Sequence, residues 1–420
     1  ADDPARRPLS IFVVTSAAQS SPPVTRPADI ATSEAAAAIL NWPRSRPLAA
    51  AVRSGPQARR LPLAEPTAVE TTPDIHAAAA MPSGEAMLLL PYDFGGHLEP
   101  AAASKGAPDR PPAAIRLALD SAGSFPLPKA GERRAPTAPA RPLREIMPRS
   151  GYTARVSRIL RYIRAGDVYQ VNLAHHLRGV IDAHPRELFA ALLETASPLH
   201  AAYAEHPGGR VVCSASPELY LRFDGDSRRV TTQPMKGTRP MDGCPVELER
   251  AEKDRAELNM IVDLMRNDLG RVARTGSVRV DVPRAVAPHA GGQLQATATV
   301  SADLREGLEL SDLLAAAFPP GSVTGAPKIR AMQIIDELEP MPRGFYCGAI
   351  GWLGPRDAEF SVAIRTATLE PTRDGRWQID LPVGAGIVAD SDPGAEWEET
   401  LLKAAAFQYA IATLNRAQRS

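Results

Sequence analysis

Lys236 lies in Thr232-Gln233-Pro234-Met235-Lys236-Gly237-Thr238, directly after the strand-like run Arg229–Gln233. A proline on one side and a glycine on the other predict a turn that holds the lysine on a stiff hook. An amine held this way, desolvated or set near another cation, gives up its proton and becomes a nucleophile. A Pro-x-Lys-Gly turn is more commonly a solvated surface feature, so the company Lys236 keeps decides between the two uses.

Two carboxylate pairs come first. Asp254 and Glu257 lie three residues apart in a predicted helix over 247–269, and Glu396 and Glu399 have the same spacing in a predicted last helix over 394–414. This spacing puts both acids of a pair on one helical face. Two such faces could converge on one divalent cation. Magnesium prefers hard oxygen ligands, keeps several waters and takes one or two protein carboxylates directly. The second acid of each pair would then orient the metal's waters. Without a cation, four carboxylates in one place repel one another. The other reading is two solvated helix faces, and Lys403, four residues after Glu399, fits a plain surface pair equally well.

Anion sites come next. The run Gly321-Ser322-Val323-Thr324-Gly325-Ala326-Pro327-Lys328 opens a predicted helix over 327–338. Its glycines permit close backbone approach, and the free N–H groups of a helix start favour a carboxylate or phosphate. The spacing is not that of a GxxxxGK[ST] phosphate loop, and an ordinary helix entry is the alternative. Arg365 falls in a predicted strand over 360–369, on a face otherwise made of Ser361, Ala363 and Ala367. One long cation among small residues leaves room for a bidentate carboxylate; a charge guarding a sheet edge is the other account. Gly384-Ala385-Gly386 ends a further strand-like run. It serves either close backbone approach or a tight corner.

These residues need a frame. The 420 residues allow two or three domains or one large one. Lys plus Arg and Asp plus Glu are 48 each, so no net basic field argues for nucleic acid or an anionic membrane. Aromatic residues make up only 5%, which disfavours base-stacking platforms. Cys213, Cys244 and Cys347 form neither a zinc spacing nor a disulfide framework. No apolar run approaches the roughly 18 residues of a membrane span, and no signal sequence follows Ala1-Asp2-Asp3-Pro4. The expectation is a cytoplasmic protein.

Composition divides the chain into a divergent N-terminal subdomain (1–104), a Pro-rich connection (105–149) and a regular domain (150–415). Strands are predicted at 11–14 and 87–90, and one at 113–119 inside an otherwise loose connection. Helix 152–165 carries the stripe Val156, Ile159, Leu160 and Ile163. Strands are predicted over 211–223 and 229–233 around the turn Asp224-Gly225-Asp226-Ser227, and over 345–353 and 377–382. Ser311 is the predicted cap of a helix reaching 318. Strands and helices mix without βαβ alternation, so an α+β layered sandwich is expected.

Taken as a set, these segments resemble the chorismate-utilising enzyme family. They are Ser216-Pro217-Glu218, Gln233 to Thr238, Lys253 to Glu257, Asp263-Leu264-Met265-Arg266-Asn267-Asp268, Gly321 to Lys328, Ile364-Arg365-Thr366 and Gly384 to Ser391. The likeness runs in consistent order from about residue 150 to about 412. That family includes the large subunits of anthranilate and aminodeoxychorismate synthases and the isochorismate and salicylate synthases. The resemblance implies an αββα sandwich, with two antiparallel sheets packed core to core and helices outside. Its aminodeoxychorismate members carry Pro-Ile-Lys-Gly-Thr where this chain has Pro234 to Thr238, whereas anthranilate and isochorismate synthases carry Ala in place of the Lys. The subgroup so implied aminates chorismate at C4 with Mg²⁺ and with ammonia from a glutamine amidotransferase partner. Anthranilate synthase or a related secondary-metabolite aminase is the alternative.

Carried over residue by residue, Lys236 would attack C2 of chorismate and Glu218 would protonate the departing C4 hydroxyl. Glu257 and Glu399 would ligate Mg²⁺, backed by Asp254 and Glu396. Arg365, Tyr346 and Lys403 would hold carboxylates, with Thr238, Gln295, Thr324, Gly325, Gly384 and Gly386 completing the substrate site. Many members have His where this chain has Gln295, which donates a hydrogen bond but cannot change charge. The Leu-Leu-Glu-Ser signature of tryptophan-regulated members is absent, so no tight regulation by tryptophan is expected.

Overall fold

Two antiparallel sheets carry the fold in the computed structural model, which describes residues 33–54, 59–102, 113–126, 142–206, 209–240, 245–289 and 293–417. The first sheet runs through strands Gln293–Asp303, Arg229–Gln233, Leu219–Asp224, Asp357–Val362, Ala349–Leu353, Glu85–Leu90, Ala114–Pro126 and Arg59–Thr72. The second runs through His200–Glu205, Val211–Ser216, Thr366–Pro371, Trp377–Ile387 and Gln170–Ile181. Short strand Ala49–Ala51 pairs with Arg59–Thr72 on one side and His200–Glu205 on the other, joining the two sheets at one corner. Alanines there (Ala49, Ala51, Ala64, Ala202 and Ala204) leave little bulk between the sheets, and Trp352 and Phe345 fill the remaining depth.

Helices cover both outer faces. Glu34–Asn41, Pro185–Ala196 and Ala405–Ala417 put Ile39, Phe189, Leu192, Phe407 and Ile411 against Leu177, Ile379 and Leu381 of the second sheet. Arg149–Arg164, Glu252–Gly270, Leu310–Ala317 and Lys328–Leu338 cover the rest with Val156, Ile159, Leu258, Leu313 and Ile334. This is the expected αββα sandwich. Glu85–Leu90 pairs residue for residue with Ala349–Leu353, so strands from the two ends of the chain share one sheet. The strand expected at 113–119 extends over Ala114–Pro126. The strand expected at 11–14 lies outside the described residues. No described helix is long and apolar enough to cross a membrane.

Several expected elements are broken, and the breaks fall at the chemistry. The run 211–223 is two strands, Val211–Ser216 and Leu219–Asp224, parted at Pro217-Glu218 where the chain changes sheets. The run 360–369 parts in the same way at 363–365, between Asp357–Val362 and Thr366–Pro371, so Arg365 is not on a strand face. Its φ of +50° turns the backbone out of the first ladder. Tyr346 precedes Ala349–Leu353 in a turn rather than lying in a strand. Trp377–Ile387 continues through Gly384-Ala385-Gly386, which is therefore strand interior and not a corner. The helix 247–269 divides at Ala251 into Pro245–Arg250 and Glu252–Gly270, and the last helix divides at Ala404. Ser311 lies inside its helix. Glu309 is the cap, in a reciprocal box with Asp312, whose carboxylate accepts from the Glu309 N–H at 2.7 Å.

Candidate active site

The two sheet crossings lie side by side. Val362 N donates to Glu218 O at 3.1 Å, and Ala215 N donates to Arg365 O at 2.9 Å. Ser216 Oγ donates to Val362 O at 2.6 Å and accepts from Glu218 N at 3.2 Å. Neither crossing is a loose loop, so the side chains of Glu218 and Arg365 start from fixed backbone. Glu218 is 4% exposed. Burial pushes its carboxyl up to about 7, against smaller opposing pulls from a Ser322 hydroxyl hydrogen bond and the Lys236 charge. A carboxyl that holds its proton near neutrality is suited to general-acid work. Burial also pulls the Arg365 guanidinium down to about 10. Its Nη2 donates to Gln293 Oε1 at 3.2 Å, and no carboxylate pairs with it among the described residues. A buried cation without a counter-ion favours an anionic ligand.

Lys236 does not sit in the expected turn. It lies on strand Met235–Pro240, which pairs with Gln293–Asp303 through a bulge between Lys236 and Thr238, where Gly237 has φ +75°. Pro234 breaks the strand before it without ending the ladder, because Pro234 O still accepts from Ala298 N at 3.0 Å. A bulge re-aims one side chain while keeping its strand rigid. The Lys236 amine stands 3.7 Å from Glu257 Oε2 and only 2.8 Å from where a Cβ on Gly386 would be. Gln170 Nε2 lies 3.2 Å from that same point. Glycine at 386 thus creates the space that the amine occupies. Gly386→Ala should displace Lys236 and cut kcat at least tenfold with fold retained; steady-state kinetics beside a circular dichroism melt would check this.

Gly384, two residues earlier on the same strand face, does the same for another group. A Cβ there would meet Leu173 O at 2.7 Å and Tyr346 Oη at 3.1 Å. Lys403 Nζ donates to Gly384 O at 2.8 Å and pairs with Glu399 Oε1 at 2.7 Å. Asp254 packs on the bulge, with Oδ1 3.1 Å from a Cβ position on Gly237. Glu396, 6% exposed, accepts the Ser391 hydroxyl at 2.6 Å. Burial pushes the Tyr152 phenol well above its usual range, and the charges of Glu396 and then Glu399 push it further, which sets both acids near one ring. Glu257 thus reaches Gly386 through Lys236, and Glu399 reaches Gly384 through Lys403. Among the described residues, no three His, Cys, Asp or Glu groups form a ready metal cluster.

Two expected ligand groups are otherwise engaged. Thr324 is fully buried and its hydroxyl turns back to Pro320 O and Gly321 O at 3.3 and 3.1 Å. Gly325 bridges to Val171, and a Cβ there would lie 2.1 Å from Gln170 O. This glycine seats the loop on the second sheet; the helix that follows opens only at Lys328. Gln295, 1% exposed, lies opposite Thr238 in register. The side chain of Thr238 is outside the described residues.

Sequence reasoning missed Gln170 and Asn172. Both amide atoms of Gln170 and the Asn172 carbonyl oxygen are buried without hydrogen-bond partners among the described residues. Both residues border the glycine strand, so they are candidate substrate contacts. Their only trace in sequence is period-two polarity in Gln170-Val171-Asn172-Leu173, which reads as a half-buried strand.

Comparison with known proteins agrees with this frame. Anthranilate synthase component 1 of Streptomyces coelicolor is 43% identical over 268 residues, 62% of this chain and 51% of that protein. Aminodeoxychorismate synthase component 1 of Bacillus subtilis is 39% identical over 269 residues, 62% and 55% of the two chains, and that of Escherichia coli 41% over 265 residues, 61% and 56%. The chain spans about half the length of the curated relatives it matches. Anthranilate synthase component I from Streptococcus pneumoniae shares the fold with a TM-score of 0.68 at 23% identity, over 93% of this chain and 100% of that one. The menaquinone-specific isochorismate synthase of Escherichia coli does so with a TM-score of 0.64 at 18% identity, over 87% and 88%. The sequence profile of the chorismate binding enzyme family matches residues 45–409, a span that holds every residue placed in this site from Gln170 to Lys403, and the chain belongs to that family.

Proposed function

We propose that this protein is an aminodeoxychorismate synthase component I, which aminates chorismate at C4. The observation that carries this reading is the amine of Lys236, packed on Gly386 beside Glu257 and facing the buried acid Glu218. Lys236 Nζ forms a bond to C2 as the ring double bonds shift and the C4–O bond breaks. Glu218 gives its proton to the departing oxygen, which leaves as water. Ammonia then bonds to C4, the double bonds shift back, and the C2–N bond to Lys236 breaks. A proton from the incoming ammonia restores Glu218. Arg365, which no carboxylate pairs among the described residues, holds a substrate carboxylate.

The hard oxygen donors of Glu257 and Glu399 suit Mg²⁺, which needs only one or two of them, with Asp254 and Glu396 behind. When bound, Mg²⁺ supplies positive charge that neutralises and orients a substrate carboxylate. Serving as a ligand would draw the Glu257 carboxylate away from Lys236. The ammonia would come from a glutamine amidotransferase partner. Free, buried Cys213 and Cys347 suit a reducing cytoplasm. Every residue given a role falls within 150–415, which we take as the catalytic domain, with 1–104 and 105–149 as N-terminal subdomain and connection.

Relatives of both names match at comparable identity, so anthranilate synthase is the second reading. Turnover of chorismate with ammonium and Mg²⁺ separates them. An aminated product that keeps its enolpyruvyl group is expected. Release of anthranilate would establish the second reading, and no turnover would remove both.

A further inference from the structure

We propose that Arg343, through its buried ion pair with Glu339, is a positioning residue for substrate binding: the pair closes a gap in the edge of strand Gln170–Ile181 and so fixes Asn172 and Tyr346 around Gly384. Strand Trp377–Ile387 runs along one side of Gln170–Ile181, from Val171 to Ile181. On the other side, Gly325–Ala326 serves Val171 and Gln170, and Arg144–Glu145 serves Arg178 and Leu177. Between these two short strands, no described strand pairs with residues 172–176. Their outward backbone groups are met in other ways. Asn172 N donates to Thr324 O at 2.8 Å, and His176 O accepts from Ile146 N at 2.9 Å. Two more go to the ion pair: Asn172 O accepts from Arg343 Nη2, and Ala174 N donates to Glu339 Oε1, each at 2.8 Å. Buried ladder groups left without partners are costly. Here two charged side chains stand where a neighbouring strand would.

The same pair reaches the turn that presents Tyr346. Arg343 Nε and Nη2 donate to Glu339 Oε2 and Oε1 at 2.8 and 2.6 Å, and Nη1 donates to Val323 O at 2.9 Å. The Arg343 carbonyl accepts from Tyr346 N at 3.2 Å. Beside it, Gly344 N donates to Asp93 Oδ2 at 2.9 Å, and the guanidinium lies over the Tyr92 ring, 4.4 Å from its centre. Arg343 therefore ties strand to turn. Those two elements bring Asn172 Oδ1 and Tyr346 Oη to 3.0 and 3.1 Å from a single Cβ position on Gly384. Contacts held this way are ordered before the ligand arrives, which lowers the cost of binding it. Arg343 and Arg365 divide the work. No carboxylate pairs with Arg365 among the described residues, which suits an anionic ligand. Glu339 neutralises Arg343 in a fork of two bonds, which leaves its other N–H groups to hold backbone.

This role rests on the proposed reading of Asn172 and Tyr346 as chorismate contacts, so one measurement is made without substrate. Arg343→Lys keeps a charge beside Glu339 but lacks the planar fork that reaches Val323 O and Asn172 O together. In the full chain without substrate, hydrogen–deuterium exchange over residues 170–176 should quicken about tenfold, while strand Asp357–Val362 exchanges as in wild type. With chorismate, KM should rise about tenfold and kcat should fall by less than about threefold, the pattern of lost binding contacts. Asn172→Ala combined with Tyr346→Phe should raise KM at least as much. Adding Arg343→Lys to that pair should raise it no further, because residues acting through one another are not additive. A purely structural role for Arg343 would add instead. Unchanged exchange in folded Arg343→Lys overturns the gap-closing role, whether or not chorismate is turned over. Unchanged KM in Arg343→Lys, or a further rise in the triple variant, overturns positioning. Unchanged KM in the Asn172 and Tyr346 variant removes those two as contacts, and the positioning role with them. If Arg343→Lys does not fold, Arg343→Met with Glu339→Gln removes both charges and leaves neither stranded, and the same exchange and KM results are expected of it.

Discussion

Lys236→Ala should abolish chorismate amination with ammonia supplied directly, a loss of roughly four orders of magnitude or more in kcat, as expected for deleting a nucleophile. The fold should survive. The side chain is 15% exposed and its stem leaves a rigid bulged strand, so no core cavity opens. Its pair with Glu257 spans 3.7 Å at a partly open site and contributes little to stability. Lys236→Arg should fail as well. It restores charge beside Glu257, but a guanidinium is no nucleophile and is bulkier than the amine that already lies 2.8 Å from a Cβ position on Gly386. The check is product formation by chromatography together with mass spectrometry of the quenched enzyme. Wild type should carry an adduct on Lys236, and the variant none. Full amination by a well-folded Lys236→Ala would refute covalent catalysis and point to direct attack of ammonia on the ring, with the amine reduced to a charge beside Glu257.

How much of this was legible in the sequence follows from which interactions are local. Lys236, Glu257 and Glu399 are recognisable because residue type and spacing survive folding: a three-residue offset on a helix stays on one face. The layered fold was legible from mixed strand and helix periodicity together with the family likeness. The crossings were not. Val211 to Phe223 keeps strand-like residues through Ser216-Pro217-Glu218, and nothing local reveals that the chain exchanges one sheet for the other. Arg365 was placed on a strand face for the same reason, although its left-handed backbone turns it off that face. Gly384 and Gly386 read equally as close backbone approach or as a corner, because glycine signals both. Their actual use, admitting Tyr346 and Lys236 against a strand, depends on residues more than 30 positions away in sequence. Gln170 went unseen because a buried amide in a sheet centre looks, in sequence, like the polar half of an ordinary strand.

Glu218→Gln should separate activity from stability. The carboxyl sits at about 7, raised from an ordinary 4.5 mainly by burial. Below about pH 4.5 both the folded and the unfolded chain hold this proton, and the group costs the fold nothing. Between 4.5 and 7 the unfolded chain ionises while the folded one still binds its proton, so stability falls as pH rises. Above 7 both are ionised and the full cost, about 3 kcal/mol, is present. A neutral amide of the same shape avoids that cost. Denaturant unfolding should therefore find Glu218→Gln more stable than wild type by about 2–3 kcal/mol at pH 8 and nearly equal at pH 4.5. The same variant should lose about 10³-fold in kcat, because glutamine has no proton for the departing hydroxyl. In wild type, kcat/KM should decline above pH 7 as the acid ionises. Equal stability of the two proteins across the range would mean that Glu218 is solvated and paired in solution, and the case for a buried acid would fail with it. A stabilised but inactive variant would instead show that the fold bears a standing cost to keep one proton where the C4 oxygen leaves.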